Sequence, residues 1–199
     1  MLKHLAIIPD GNRRYCKKKQ LTNCDTESRT TLLNLMNWCI SKNIEELSVF
    51  AWSIENWKRP QHEVNYAMQI LQKILSHFIE TPDRRYTLRF ISSDTSKLPQ
   101  KICRQIKIIE SQKYQESKLN VYIYLSYGFS KGVTKEVVLK RDPDLLIRTS
   151  GEYRLSNFCM GNLTYTELLF IQPLFPECSD EIWNECLAEF QRRDRRYGQ

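Results

Sequence analysis

The sequence predicts an α/β protein with a central, mainly parallel sheet ringed by helices. Three observations carry that prediction. Short apolar runs of strand length recur along the chain. Between them lie longer stretches whose apolar residues fall at helical spacing. The two kinds of segment alternate, which is the pattern of strands joined by helical crossovers.

The elements follow in order. Leu5, Ala6, Ile7 and Ile8 read as a buried strand. Pro9 stops it, and Asp10-Gly11-Asn12 supplies turn chemistry. Leu32, Leu35, Cys39 and Ile40 recur at helical spacing within about residues 27–42. Residues 47–51 read as the second strand. Val64, Ala67, Met68, Leu71, Ile74, Leu75 and Phe78 mark a helix over 64–80. Residues 87–91 form the third strand, and Ile102, Ile106 and Ile109 mark the next helix. Strands follow at 121–125 and 145–147. Ile182, Cys186, Leu187 and Phe190 mark a final helix. Residues 17–20 and 82–86 read as loops. The chain shows no repeat, low-complexity segment or linker, so residues 1–199 are expected to form one domain with a sizeable core.

Composition narrows the function. Lys and Arg number 30 against 23 Asp and Glu, a formal charge of +7. That balance suits phosphorylated small molecules, nucleic acid or an acidic membrane surface, and equally a merely basic protein. No RNA-binding signature is present, and the aromatics lie within strand and helix patterns, so no nucleic-acid partner is expected. The 7 cysteines are scattered, odd in number and without CxxC spacing. This argues against zinc and a disulfide framework and for reduced, mostly buried thiols in a cytoplasmic protein. With the first strand opening the sequence no secretory signal is expected, and no apolar run reaches transmembrane length.

Chemistry concentrates at strand ends. In HLAIIPDGNRRY, residues 4–15, one carboxylate, a glycine, an amide and two guanidiniums follow the first strand. Ligands bind at such ends in open α/β sheets. The set suits a diphosphate, with Arg and backbone N–H groups on its oxygens and Asp10 on a bridging Mg²⁺. A plain strand and turn fits this segment alone equally well. SIENWKRP, residues 53–60, places Glu55, Asn56, Lys58 and Arg59 after the second strand, where a polar loop is the simpler reading. DPDLLIRTSGEYRLSN, residues 142–157, ends a strand at Arg148 and brings Thr149, Ser150, Arg154 and Ser156 close behind. Two arginines and several hydroxyls make a second anion pocket. Glu167 lies in the apolar segment TYTELLF and needs a partner, a metal or a solvent path. The chain closes on QRRDRRYGQ, a basic tail that reads equally as a solvated helix end.

Together these segments resemble the cis-prenyltransferases, the family of undecaprenyl and dehydrodolichyl diphosphate synthases. HLAIIPDGNRRY, FAWSIENWKRP, DPDLLIRTSGEYRLSNF with TYTELLF, and QRRDRRYG look like family motifs in family order over nearly the whole chain. The resemblance implies a helix-ringed parallel sheet with a hydrophobic tunnel, working as a homodimer or heterodimer. It implies that Asp10 handles Mg²⁺ and an allylic diphosphate, cradled by Gly11, Asn12, Arg13 and Arg14. Asn56 matches a residue of the condensation step, and Arg59 adds a phosphate contact. Arg148, Arg154 and Ser156 match the pocket for isopentenyl diphosphate. Glu167 matches a metal ligand of the homodimeric enzymes. Arg196 and Gly198 match a motif that reaches the partner subunit's phosphate site. The expected activity is a short-chain, Mg²⁺-dependent condensation by a homodimer, with peripheral membrane contact as a further expectation.

Three departures from the family pattern stand out. The Gly-His-any-any-Gly start of the second helix is replaced by NCDTES at about residues 23–28, where Asp25 reads as a helix N-cap. The segment from 129 to 142 is much shorter than in the family. Tyr122, Tyr124 and Leu125 stand where smaller side chains are usual, and as a tunnel wall they would shorten the product; as core they would not. The lost His and the bulky wall also resemble lavandulyl-type enzymes, which join two dimethylallyl diphosphates head to middle. A non-catalytic partner subunit is the third reading, and the retained Asp10, Arg148, Arg154, Ser156 and Glu167 argue against it.

Overall fold

The computed structural model describes residues 1–112, 114–131 and 141–196. Its strands are β1 (His4–Ile8), β2 (Glu46–Ser53), β3 (Tyr86–Ile91), β4 (Leu119–Tyr127), β5 (Leu145–Arg148) and β6 (Glu167–Phe170). They form one sheet, ordered β3-β4-β2-β1-β5-β6, in which every pairing is parallel. The helices are α1 (Asn12–Lys18), α2 (Asp25–Ser41), α3 (Gln61–Glu80), α4 (Gln100–Ser111) and α5 (Asp180–Arg192). The expected parallel α/β architecture is therefore present. Central strands covered on both faces explain the unbroken apolar runs, and all of β1 is buried.

Strand alternation sends side chains to two cores. Leu5, Ile7, Leu47, Val49, Val121, Ile123, Leu145 and Ile147 join buried residues of α2, α3, α4 and α5 in the larger one. Ala6, Ile8, Phe50, Tyr122, Tyr124 and Leu146 face the other way and pack with Tyr127, Phe158 and Cys159. This decides the position of the two tyrosines. They lie on the face opposite α2 and α3 and wall nothing between those helices and the sheet. Tyr122 donates to Glu46 Oε1 at 3.1 Å, and the Tyr124 ring meets Phe158 edge-on at 4.9 Å.

Two elements escaped the sequence patterns. The helix α1 takes up Lys17 and Lys18, which read as loop, and it buries no residue, so it has no apolar period to detect. The strand β6 is short and half-exposed throughout. It ends the sheet, and Arg193 donates to its Leu168 carbonyl at 3.0 Å, which blunts that edge. At the opposite edge, Glu110 Oε1 accepts from the Phe90 N–H at 3.0 Å. Asp25 lies one residue inside α2, whose N-cap is Cys24; its carboxylate takes Lys73 at 3.1 Å. All seven cysteines are free and five are buried, as the spacing predicted. Most of the short segment before Asp142 lies outside the described residues. Among the described residues no helix is long and apolar enough to cross a membrane.

Candidate active site

The strand β1 lies between β2 and β5, and the chain leaves it in one direction and later crosses to the other side. That reversal is a topological switch point, where an α/β sheet opens a crevice at its carboxyl end. Asp10 follows β1 there and Arg148 ends β5. Their side chains meet across the crevice, with Arg148 Nη2 donating to Asp10 Oδ2 at 2.9 Å.

The loop carrying Asp10 is fixed from several sides. Thr149 Oγ1 accepts from the Asp10 N–H at 2.8 Å and donates to the Asp10 carbonyl at 2.6 Å. The Phe175 N–H donates to the same carbonyl at 2.9 Å. Gly11 takes φ +101°, and a Cβ there would lie 2.8 Å from Leu174 Cδ2. Both the backbone and the space demand glycine. Its N–H donates to Asp10 Oδ1 at 2.6 Å. Burial pushes the Asp10 carboxyl up, but the Arg148 hydrogen bond, the Gly11 N–H and the charges of Arg148 and Arg14 together hold it below its usual value.

Two arginines, Arg148 and Arg14, face this carboxylate, and three more lie on the adjoining loops. Arg148 is 4% exposed. Its Nη1 donates to Ser156 Oγ at 2.7 Å and to the Arg154 carbonyl, while its Nε is buried with no partner among the described residues. Arg14 donates to the Ser150 carbonyl at 3.1 Å and to Ser150 Oγ at 2.5 Å. Arg13 pairs with Glu63 at 2.5 Å and is largely exposed. Arg59 stacks over Trp52 at 5.3 Å. Burial, then the like charge of Arg13, lowers the Arg59 pKa, with Glu63 and Asp10 opposing. Arg154 is exposed and pairs with Glu152.

The loop after β5 is built from unusual backbone. Seven described non-glycine residues have positive φ, and Ser150, Ser156, Asn157 and Cys159 are four of them. Such conformations are costly for non-glycine residues and cluster at working sites. Asn157 ties this loop to its neighbours, with Nδ2 donating to Glu55 Oε1 at 3.0 Å and to Ser130 Oγ at 3.1 Å. Asn56, beyond β2, accepts from the Ser53 N–H through Oδ1 at 3.1 Å. Trp57 donates to Ser126 at 2.8 Å and holds that turn on β4.

Asp10, Gly11, Asn12, Arg13, Arg14, Asn56, Arg59, Arg148, Arg154 and Ser156 thus gather at the carboxyl ends of β2, β1 and β5. Glu167 and Arg196 do not join them. Glu167 opens β6 level with Leu145 and Leu5, at the amino ends of the strands. From Leu5 to Ile8 alone is about 10 Å of strand. Arg193 donates to Glu167 Oε2 at 2.9 Å, and Arg195 lies 3.6 Å from Asp144. Arg196 follows them and pairs with Asp194 at 2.8 Å. Gly198 lies outside the described residues. Sequence reading passed over Thr149 as a clamp, and over Glu63 and Asn157. The Asn157 signal was available, since Asn tolerates the left-handed region better than most residues.

Comparison with known proteins identifies the family. A family model described as "Putative undecaprenyl diphosphate synthase" matches residues 8–140 and 133–198. The chain belongs to this family. An isoprenyl transferase of Campylobacter jejuni is 30% identical over 99% of the chain and 98% of its own length. A ditrans,polycis-undecaprenyl-diphosphate synthase of Acinetobacter baylyi, described as (2E,6E)-farnesyl-diphosphate specific, is 34% identical over 98% of the chain and 91% of its own length. The crystal structure of a probable undecaprenyl diphosphate synthase from C. jejuni superposes with TM-score 0.83 at 30% identity, over 100% of the chain and 99% of its own. Lavandulyl diphosphate synthase from Lavandula x intermedia superposes with TM-score 0.87 at 24% identity, over 100% and 98%, a likeness of fold. The chain is a prenyltransferase of the undecaprenyl diphosphate synthase type.

Proposed function

We propose that this prenyltransferase is a short-chain, Mg²⁺-dependent enzyme. It condenses an allylic diphosphate with isopentenyl diphosphate to a cis-prenyl diphosphate, and residues 1–199 act as one catalytic domain. The observation that carries the reading is the Asp10–Arg148 pair at the switch point, with Arg14 3.8 Å from the same carboxylate and Arg13, Arg59 and Arg154 on the adjoining loops. Arg148 and Arg14 act on the carboxylate itself, and with Arg13, Arg59 and Arg154 on the adjoining loops five arginines share this end of the sheet, which suits two diphosphates better than one.

Asp10, Arg13, Arg14 and Arg59 hold the allylic diphosphate in this scheme, with Gly11 and Asn12 shaping the loop beneath it. Arg148, Arg154 and Ser156 hold isopentenyl diphosphate. The partnerless Arg148 Nε is a donor already buried at that pocket. The allylic C–O bond breaks, and the arginines stabilise charge on the departing diphosphate. The isopentenyl alkene, fixed alongside, forms the new C–C bond at the allylic carbon, and an oxygen of the departed diphosphate takes the C2 proton, which sets the double bond. Asn56 sits at the neighbouring strand end and orients the reacting pair. The residues fit Mg²⁺, which takes one or two carboxylates plus substrate phosphates rather than an all-protein cage. Asp10 is one such carboxylate, and among the described residues no cluster of three or more His, Cys, Asp or Glu could hold a metal. When bound, Mg²⁺ neutralises charge on the diphosphate.

The growing chain runs between α2, α3 and the sheet. Met36, Val64, Met68, Leu75 and Phe78 are all buried there, which supports a short product. An open cleft of about 240 Å³, lined in part by Leu33, Asn37 and His77, lies at the far ends of the two helices. We place the protein in the cytoplasm as a homodimer, because Arg196 lies at the wrong end of its own sheet to meet these phosphates. Exposed Lys17, Lys19 and Leu21 beside the site suit contact with an anionic membrane. The test is product analysis with Mg²⁺ and dimethylallyl, geranyl or farnesyl diphosphate, with and without isopentenyl diphosphate. Short linear cis products that need isopentenyl diphosphate are expected. Branched products from dimethylallyl diphosphate alone would replace this reading with head-to-middle coupling.

A further inference from the structure

We infer that Ser28, assisted by Cys24, is a positioning residue for the Asp10 loop, latching it to α2 in the stretch where the Gly-His-any-any-Gly pattern is missing. Ser28 Oγ donates to Asn12 Oδ1 at 2.8 Å. That bond fixes the orientation of the Asn12 amide, whose Nδ2 donates to the Pro9 carbonyl at 3.0 Å. Cys24 Sγ lies 3.3 Å from the Asn12 carbonyl and donates to it. The relay runs from α2 through Asn12 to the residue that precedes Asp10.

The geometry is not what Ser28 would adopt as an ordinary helix residue. A helical serine commonly turns its hydroxyl back to the carbonyl four residues earlier, here that of Cys24. The Ser28 N–H makes the ordinary helix bond to that carbonyl at 3.0 Å, but the hydroxyl does not join it and reaches across to Asn12. Thr149 and Phe175 hold the loop at the Asp10 carbonyl, and Leu174 crowds it at Gly11. Ser28 and Cys24 close it from the α2 side. A loop held from both sides presents the Asp10 carboxylate and the first backbone N–H groups of α1 without reorganisation when an anion arrives.

This inference rests on the reading of the Asp10 loop as the allylic diphosphate site, and its test separates the two. Hydrogen–deuterium exchange at the bonded amides of Asp10, Gly11 and Tyr15, on the protein without substrate, reads the latch directly. Ser28→Ala should speed exchange about fivefold, the worth of one hydrogen bond, and Ser28→Thr should restore protection. In steady-state kinetics Ser28→Ala should raise the KM for the allylic diphosphate by a similar factor, leaving kcat and the isopentenyl diphosphate KM near wild type. In an Asn12→Ala background, Ser28→Ala should change nothing further. Unchanged exchange in Ser28→Ala, equal rises in both KM values, or additive effects of the two alanines would overturn the latch. A wild-type protein with no turnover would count against the prenyl-transfer reading, while the exchange measurement still decides the latch.

Discussion

The neighbours of Asp10 hold its carboxyl below the ordinary carboxylate range. Arg148, Arg14 and the Gly11 N–H outweigh burial and depress its pKa. A depressed carboxyl contributes stability at pH above its unfolded value and loses it as pH falls through the folded value. Asp10→Asn should therefore cost about 1–3 kcal/mol near neutral pH, at the low end because Asp10 is one-third open to solvent. Urea unfolding across pH should show wild type and variant converging below the usual carboxylate range; a constant gap would mean that charge is not the cause. Asp10→Ala should abolish Mg²⁺-dependent turnover while far-UV circular dichroism stays native. Arg154 is exposed and makes no core contact, so Arg154→Ala should raise the KM for isopentenyl diphosphate about tenfold or more, as expected for a lost charge-assisted bond, with unchanged melting. An equal rise for both substrates would place Arg154 outside the isopentenyl pocket.

Strand alternation decides which side chains meet the product. In β4, Val121, Ile123 and Leu125 face the helices, whereas Tyr122 and Tyr124 face the smaller core. The helix α3 runs from the site toward the amino ends of the strands, and Val64 to Phe78 spans about 21 Å. Met68→Ala should thus lengthen the product by at least one isoprene unit. Tyr124→Ala should leave chain length unchanged and reduce stability by about 3–5 kcal/mol as a core truncation. Gas chromatography–mass spectrometry of dephosphorylated products separates the cases, and longer products from Tyr124→Ala would place the chain on the other face. The limits of sequence reading are plain in the same elements. The first five strands were legible because burial on both faces writes apolar runs, and α2 and α3 because burial on one face writes a period. The face to which Tyr124 points depends on register with β2, which periodicity does not contain. The helix α1 buries nothing and β6 is half-exposed, so neither leaves a pattern. Asp10, Arg148 and Ser156 were legible from turn chemistry and motif. The left-handed backbone that brings Ser156 under Arg148 was not, because serine gives no hint of positive φ.

At the scale of the molecule, the sheet separates two groups that the motifs suggested would cooperate. Asp10 and Arg148 lie at its carboxyl end, while Glu167 and the Arg193–Arg196 tail lie at its amino end. The tail is anchored there by Arg193 on Glu167 and Glu189, by Arg195 near Asp144, and by Arg195 stacked over Phe190 at 4.5 Å. A rigid strand cannot fold to bring its two ends together. If Arg196 serves a phosphate site, that site belongs to a second copy of the chain, an arrangement that symmetric dimers make reciprocal. Arg196→Ala should then lower turnover without moving the melting temperature, because the side chain is three-quarters exposed. Mixing decides where it acts. Asp10→Ala supplies a sound tail but a dead loop, and Arg196→Ala the reverse. A heterodimer of the two places one intact loop against one intact tail. Co-refolded mixtures should show turnover above that of either variant alone. Failure to recover it, with mixed dimers confirmed by native mass spectrometry, would mean that Arg196 acts within its own chain or not at all.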